Sequence, residues 1–145
     1  MKSLDASRII PHLAIGSVPP SGNLLREYGV GVLVLAAKEA QPDSREFPGV
    51  EVIHAPYADR FFEPLSASTR KRVVQVAKLV AERVGQKQNV LVTCMMGLNR
   101  SGLIAGLALR YLGMSGEEAV DQIRLNRAGA LSNPTFRRMV VEFEP

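Results

Sequence analysis

Residues 89–113 read NVLVTCMMGLNRSGLIAGLALRYLG, and this stretch decides the fold. Asn89 to Thr93 is a short apolar run rich in valine, the mark of a strand buried on both faces. It leads straight into Cys94, the only cysteine of the chain. From Ser101 the apolar residues fall at helical spacing, at Leu103, Ile104, Leu107, Ala108, Tyr111 and Leu112, and Gly113 is a stop. A buried strand joined by a short loop to a buried helix is a unit of α/β architecture.

The rest of the chain fits that unit. Arg8–Ile10 and Leu13–Ile15 flank Pro11 and read as a short strand or hairpin at a sheet edge. Residues 16–22 (GSVPPSG) form a loop, and Leu24 to Tyr28 a short helix ended by Gly29. Val30 to Ala36 is a second strand of the doubly buried kind. Lys38 to Pro48 is a polar loop, Val50 to His54 a strand, and Ala55 to Leu65 an irregular segment. Ser66 caps a helix whose buried face is Val73, Val76, Ala77, Val80 and Val84 and which stops at Gly85. Ser115 and Glu118 form a capping box opening a helix to about Asn126. Asn133 before Pro134 starts a last helix running to Phe143. Strands alternating with helices predict an α/β domain over residues 1–145, with a central, mainly parallel sheet of four to five strands flanked by helices.

Composition narrows the function classes. The chain has 145 residues, 46% of them hydrophobic and 22% charged, as expected of one globular domain. One cysteine leaves no disulfide framework and no cysteine-rich zinc site. It favours a reducing compartment, so a cytoplasmic location is expected. No signal peptide or membrane-length apolar run is evident. The formal net charge of +4 comes from scattered Lys and Arg residues, with small runs at Arg70–Arg72 and Arg137–Arg138. No basic stripe interleaves with aromatics, so nucleic acid is not an expected partner. A monomer is expected.

In parallel sheets, ligands sit at the C-terminal ends of the strands, and Cys94 falls at such an end. The loop from Cys94 to Arg100 is short enough that it must curl and turn its N–H groups inward, with Gly97 relieving the tightest point. Amides at the following helix start and the helix dipole extend this into an anion nest of phosphate size. Met95, Met96, Gly97, Leu98, Asn99 and Arg100 would supply the phosphate-binding backbone, and Arg100 adds a planar fork suited to phosphate oxygens. The same groups favour the thiolate of Cys94, which can attack the phosphorus of a bound monoester and form a phosphocysteine. The leaving oxygen needs a proton. Asp59, just after a strand, is the first candidate for the acid, and Glu63 in the same loop the second. The Ser101 hydroxyl can hydrogen-bond the sulfur. Met95 and Met96 are expected to line the pocket wall. His12 and His54 have no metal-ligand spacing, and neither metal nor cofactor is expected.

Thr93-Cys94-Met95-Met96-Gly97-Leu98-Asn99-Arg100-Ser101 resembles the phosphate-binding signature of the cysteine-dependent protein tyrosine phosphatases, and most of all the small atypical dual-specificity branch. Ile10–Ser17, Val30–Leu35, Ala58-Asp59, Tyr111–Ala119 and Asn126–Phe136 extend the resemblance over nearly the whole chain. It implies a protein tyrosine phosphatase-like fold, with Cys94 as nucleophile, Arg100 as phosphate clamp, Asp59 as general acid and Ser101 as helper in hydrolysing the intermediate. Asn133 lies among the supporting residues, and the substrate is a phosphorylated protein or another phosphomonoester. Thr93 stands where the family usually has histidine. Its hydroxyl can replace one hydrogen bond but not the ring, which implies slower turnover. Two other readings within reach of the same loop are a catalytically weak phosphate-binding pseudophosphatase, and a phosphatase for a non-protein substrate such as a phosphoinositide or an RNA 5′-phosphate. A sulfur-transfer or arsenate-reducing enzyme fits less well, because the chain has one cysteine and an acid upstream.

Overall fold

The computed structural model describes residues 3–19 and 21–145, so Pro20, in the loop expected at 16–22, lies outside the described residues. Five strands form one sheet: β1 (Ala6–Ile10), β2 (Leu13–Ser17), β3 (Val32–Ala37), β4 (Glu51–Tyr57) and β5 (Val90–Cys94). Their spatial order is β1-β2-β5-β3-β4. β1 and β2 form the expected hairpin and pair antiparallel, while β2, β5, β3 and β4 are parallel neighbours. The two strands with continuous apolar sequence, β3 and β5, lie in the middle and are buried along their whole length. That is what a strand covered on both faces requires.

Five helices complete the chain: α1 (Gly22–Glu27), α2 (Ala67–Gly85), α3 (Arg100–Tyr111), α4 (Gly116–Asn126) and α5 (Pro134–Glu142). Val32, Val34, Val90 and Val92 project to one side, into a core shared with Val73, Val76, Ala77 and Val80 of α2 and Leu103, Ile104 and Leu107 of α3. Leu33, Leu35 and Leu91 project to the other side, against Leu25 of α1 and Phe47. Ten of the twelve residues of α3 are buried. Full burial of an aliphatic side chain stabilises by about 1.5–3 kcal/mol, so packing holds this helix far more strongly than its end contacts do. Its N-terminus, where Arg100 sits, is fixed accordingly.

The caps agree with the sequence reading. The Ser66 hydroxyl accepts from Thr69 N, Ser115 and Glu118 form the capping box, and the Asn133 side chain accepts from Thr135 N and Phe136 N. Several boundaries differ. β4 runs on to Tyr57, so residues 55–57 are strand rather than irregular loop. Pro56 is tolerated because β4 is the sheet edge, where a missing N–H costs little. The polar segment after β3 contains a 3-10 turn at Ser44–Glu46. α2 includes Gly85, and α3 begins at Arg100 rather than Ser101. No helix among the described residues is long and apolar enough to cross a membrane.

Candidate active site

β5 delivers Cys94 at its last position and α3 opens at Arg100, so the chain turns in five residues. Four carbonyls between Met96 and Arg100 are held by donors. Met96 O accepts from Arg127 Nη2 at 2.9 Å, Leu98 O from Leu131 N at 3.0 Å, Asn99 O from Leu103 N at 2.8 Å, and Arg100 O from the Tyr57 hydroxyl at 2.5 Å. Among the described residues, no backbone carbonyl accepts from the amides of Met95 to Arg100. Gly97 has φ +68°, and a Cβ there would lie 2.3 Å from the Gly16 carbonyl carbon and 2.7 Å from Arg127 Nη2. Only glycine fits, because the turn needs left-handed backbone and also rests directly on the end of β2. Held carbonyls and amides without a backbone acceptor are the arrangement that an anion nest requires.

Cys94 is 3% exposed, and its Sγ lies 3.3 Å from Ser101 Oγ. Arg100 is buried, and three hydrogen bonds to two groups fix it. Its Nη1 donates to Glu39 Oε1 at 2.5 Å and to Tyr57 O at 3.0 Å, and its Nη2 donates to Glu39 Oε2 at 3.2 Å. Arg100 Nε is buried with no partner among the described residues. A guanidinium gripped on its far edge with Nε free has a donor available for an anion. Burial works against the Arg100 charge. The hydrogen bonds and charge of Glu39, with Cys94 and Asp59 adding, more than offset this, so its pKa is raised. Arg100 in turn holds the Glu39 carboxyl below the usual range, chiefly through their hydrogen bonds. Tyr57 is fully buried. Burial, with the charge of Cys94 adding and that of Arg100 opposing, pushes its hydroxyl well above its ordinary range, so it stays a donor to Arg100 O at any working pH.

Asp59 sits two residues beyond β4, and two amides meet its carboxylate. Asn133 Nδ2 donates to Oδ1 at 2.7 Å and Asn99 Nδ2 to Oδ2 at 3.1 Å. Asn99 Oδ1 accepts from Asn133 N at 2.9 Å, and Asn133 Nδ2 also donates to Arg60 O at 3.2 Å. Asp59 is thus tied to the nest loop through Asn99 and to the start of α5 through Asn133. The Asn99 side chain faces the acid, while its backbone belongs to the loop before α3. Glu63 is not part of this network; it faces Arg60 at 3.4 Å, with both side chains exposed. Met95 and Met96 are 44% and 69% exposed, so their side chains stand out at the rim rather than forming a wall. Thr93 departs further from expectation. Its hydroxyl donates to Val34 O at 3.1 Å, across the sheet to β3, and not to the loop or the thiol.

The structure therefore brings together Cys94, Arg100, Asp59, Ser101, Asn99 and Asn133, together with Glu39 and Tyr57, which the sequence reading missed. Glu39 had one signal: it lies just past the C-terminal end of a central parallel strand, where ligand-facing groups gather. Tyr57 had another, because Ile53, Ala55 and Tyr57 alternate as a half-buried strand does.

The chain belongs to the dual specificity phosphatase catalytic domain family, whose model matches residues 17–145, and that makes it a phosphatase domain. The chain is similar to Tk-PTP in its active form, with 30% identity and a TM-score of 0.74 over 95% of this chain and 94% of that one. It also resembles human DUSP28 in fold, with 24% identity and a TM-score of 0.77 over 96% and 94% of the two chains. No curated protein sequence matches it significantly.

Proposed function

We propose that residues 1–145 act as one catalytic domain that hydrolyses phosphomonoesters of proteins, phosphotyrosine first and phosphoserine or phosphothreonine as well, through a phosphocysteine and without a metal. The observation that carries this is a buried thiol at the end of β5, beside a loop in which Met96 O, Leu98 O, Asn99 O and Arg100 O are each held by a donor while the loop amides meet no backbone acceptor among the described residues. Substrate phosphate occupies the inward amides and Arg100 Nε. The Cys94 thiolate attacks phosphorus and forms the S–P bond. As the ester P–O bond breaks, Asp59 gives its proton to the departing oxygen. Water then attacks the phosphocysteine, the Asp59 carboxylate takes its proton, and the S–P bond breaks to release inorganic phosphate. The Ser101 hydroxyl, 3.3 Å from Sγ, donates to the sulfur as it regains its negative charge.

The preference for aryl esters is supported by the rim. Phe61 and Phe62 follow Asp59 at 46% and 80% exposure and pack edge to face, with centroids 6.2 Å apart. With Met95 and Met96, they offer apolar surface to a ring whose phosphate is in the nest. The test is hydrolysis of para-nitrophenyl phosphate, with a metal chelator present, by the wild type, Cys94→Ser and Asp59→Asn. Activity inhibited by vanadate and abolished in Cys94→Ser supports the enzyme. An inactive wild type that still binds phosphotyrosyl peptide establishes the pseudophosphatase reading instead.

A further inference from the structure

We propose that Arg127 and Asp5 act as positioning residues, a latch that sets the peptide plane between Met96 and Gly97 so that the nest can accept a phosphate; this rests on the reading of that loop as the phosphate site. Arg127 is the C-terminal cap residue of α4, and its side chain is 10% exposed. One guanidinium joins three separate segments. Nη1 donates to Asp5 Oδ1 at 3.2 Å and to Ser7 Oγ at 3.1 Å, and Nη2 donates to Asp5 Oδ2 at 3.0 Å and to Met96 O at 2.9 Å. Asp5 is itself pinned, since its carbonyl accepts from Ser17 N at 3.1 Å, next to the Gly16 on which the loop rests. The hydrogen bonds of Arg127, against a smaller opposing effect of burial, hold the Asp5 carboxyl below its usual range.

The Met96 carbonyl is the one that needs a holder. In a trans peptide the carbonyl and the following N–H point in opposite directions. With Met96 O turned toward Arg127, Gly97 N–H points to the concave side of the loop. Gly97 is also the residue with the widest conformational freedom in the loop, at φ +68°. The glycine that lets the turn form also lets this peptide rotate, and the rotated peptide would put a carbonyl where phosphate oxygens belong. Leu98 O and Asn99 O are secured by backbone amides and Arg100 O by the buried Tyr57. Met96 O depends on a side chain, and that side chain depends on a carboxylate near the chain's N-terminal strand.

The test uses vanadate and inorganic phosphate as probes and para-nitrophenyl phosphate as substrate, well below the thermal midpoint of each variant. Arg127→Ala is expected to raise the vanadate inhibition constant and KM on the order of tenfold, the equivalent of one charge-assisted hydrogen bond. Arg127→Lys should recover part of this, because one ammonium cannot bridge both Met96 O and the carboxylate fork. Asp5→Asn, at an exposed carboxylate where folding is not at risk, should shift both constants the same way by a smaller factor. Combined with Arg127→Ala, it should add nothing, since the two share one path. A purely structural role would lower the midpoint and leave vanadate affinity unchanged. Vanadate constants within twofold of wild type in Arg127→Ala and Asp5→Asn overturn the latch. If Arg127→Ala does not fold, an unchanged constant in Asp5→Asn alone overturns it. A wild type that binds neither vanadate nor phosphate overturns the phosphate nest and the latch together.

Discussion

Replacing Glu39 with Gln keeps the length of the side chain and removes its charge. Glu39 grips Arg100 through two bonds, at 2.5 and 3.2 Å, and the side chains are 54% and 7% exposed respectively. The amide keeps one acceptor, so the substitution loses one of two charge-assisted bonds. A sheltered bond of that kind contributes about 1.5–3 kcal/mol. Glu39 is half in solvent, and screening brings the figure to about 1–1.5 kcal/mol. That is roughly tenfold in an equilibrium or rate. Tyr57 O, 3.0 Å from Nη1, still holds the guanidinium near its place, so the loss should not grow much beyond that. We expect kcat/KM for para-nitrophenyl phosphate to fall about tenfold and the vanadate inhibition constant to rise by a similar factor. Stability should follow the same pair. The Glu39 pKa is depressed below its ordinary 4.5 by Arg100. A carboxyl depressed on folding contributes stability that is fully present above the unfolded value and lost as pH falls through the folded one. Wild type should therefore be more stable than Glu39→Gln at neutral pH, and the gap should close as pH drops below 4.5. Kinetic constants within twofold of wild type, together with a stability gap that stays constant through the acid range, would refute the assignment of Glu39 as the holder of Arg100.

Asn133→Ala removes a donor to Asp59 and one to Arg60 O. Hydrolysis of phenyl phosphate, whose leaving oxygen needs a proton, should fall by about 10²-fold, near the lower end of what an acid contributes, and esters with good leaving groups should fall much less; equal losses on both would contradict it. Ser101→Ala removes the hydroxyl beside Sγ. It should leave the first burst of product release intact and slow the steady state on the order of tenfold, the worth of one hydrogen bond to a charged atom, which rapid-mixing kinetics would show. Thr93→Val removes the bond to Val34 O. It should cost about 1 kcal/mol of unfolding stability with little change in kcat; a large loss of kcat would mean that the hydroxyl serves the thiol after all.

What the chain revealed before folding was what is contiguous in it. Cys94, Gly97, Arg100 and Ser101 lie within eight residues of each other, and the strand before them and the helix after them follow from local apolar spacing. Asp59 was found because it follows a strand. The rest of the site depends on pairs distant along the chain: Arg100 with Glu39, Tyr57 with Arg100, Asn133 with Asp59, and Arg127 with Asp5, 122 positions apart. Period and capping rules describe neighbours, and such pairs are set only once the sheet order β1-β2-β5-β3-β4 is formed. Tyr57 was misplaced for a separate reason. The strand was read as ending at His54, whereas β4 runs on through Pro56, which an edge strand tolerates. The Thr93 hydroxyl was read only as able to replace one hydrogen bond of a histidine, and its partner was not legible; in the sheet it meets the carbonyl of the next strand.

The central claim is that phosphate passes through Cys94. Mixing Ser101→Ala with a phosphorylated substrate, quenching within the first turnovers and digesting the protein should yield the Cys94 peptide carrying one phosphoryl group on sulfur. The same peptide from Cys94→Ser should carry none, and added inorganic phosphate should not produce the adduct without substrate. Turnover with no phosphoryl group ever found on Cys94, or undiminished turnover in Cys94→Ser, would contradict the account.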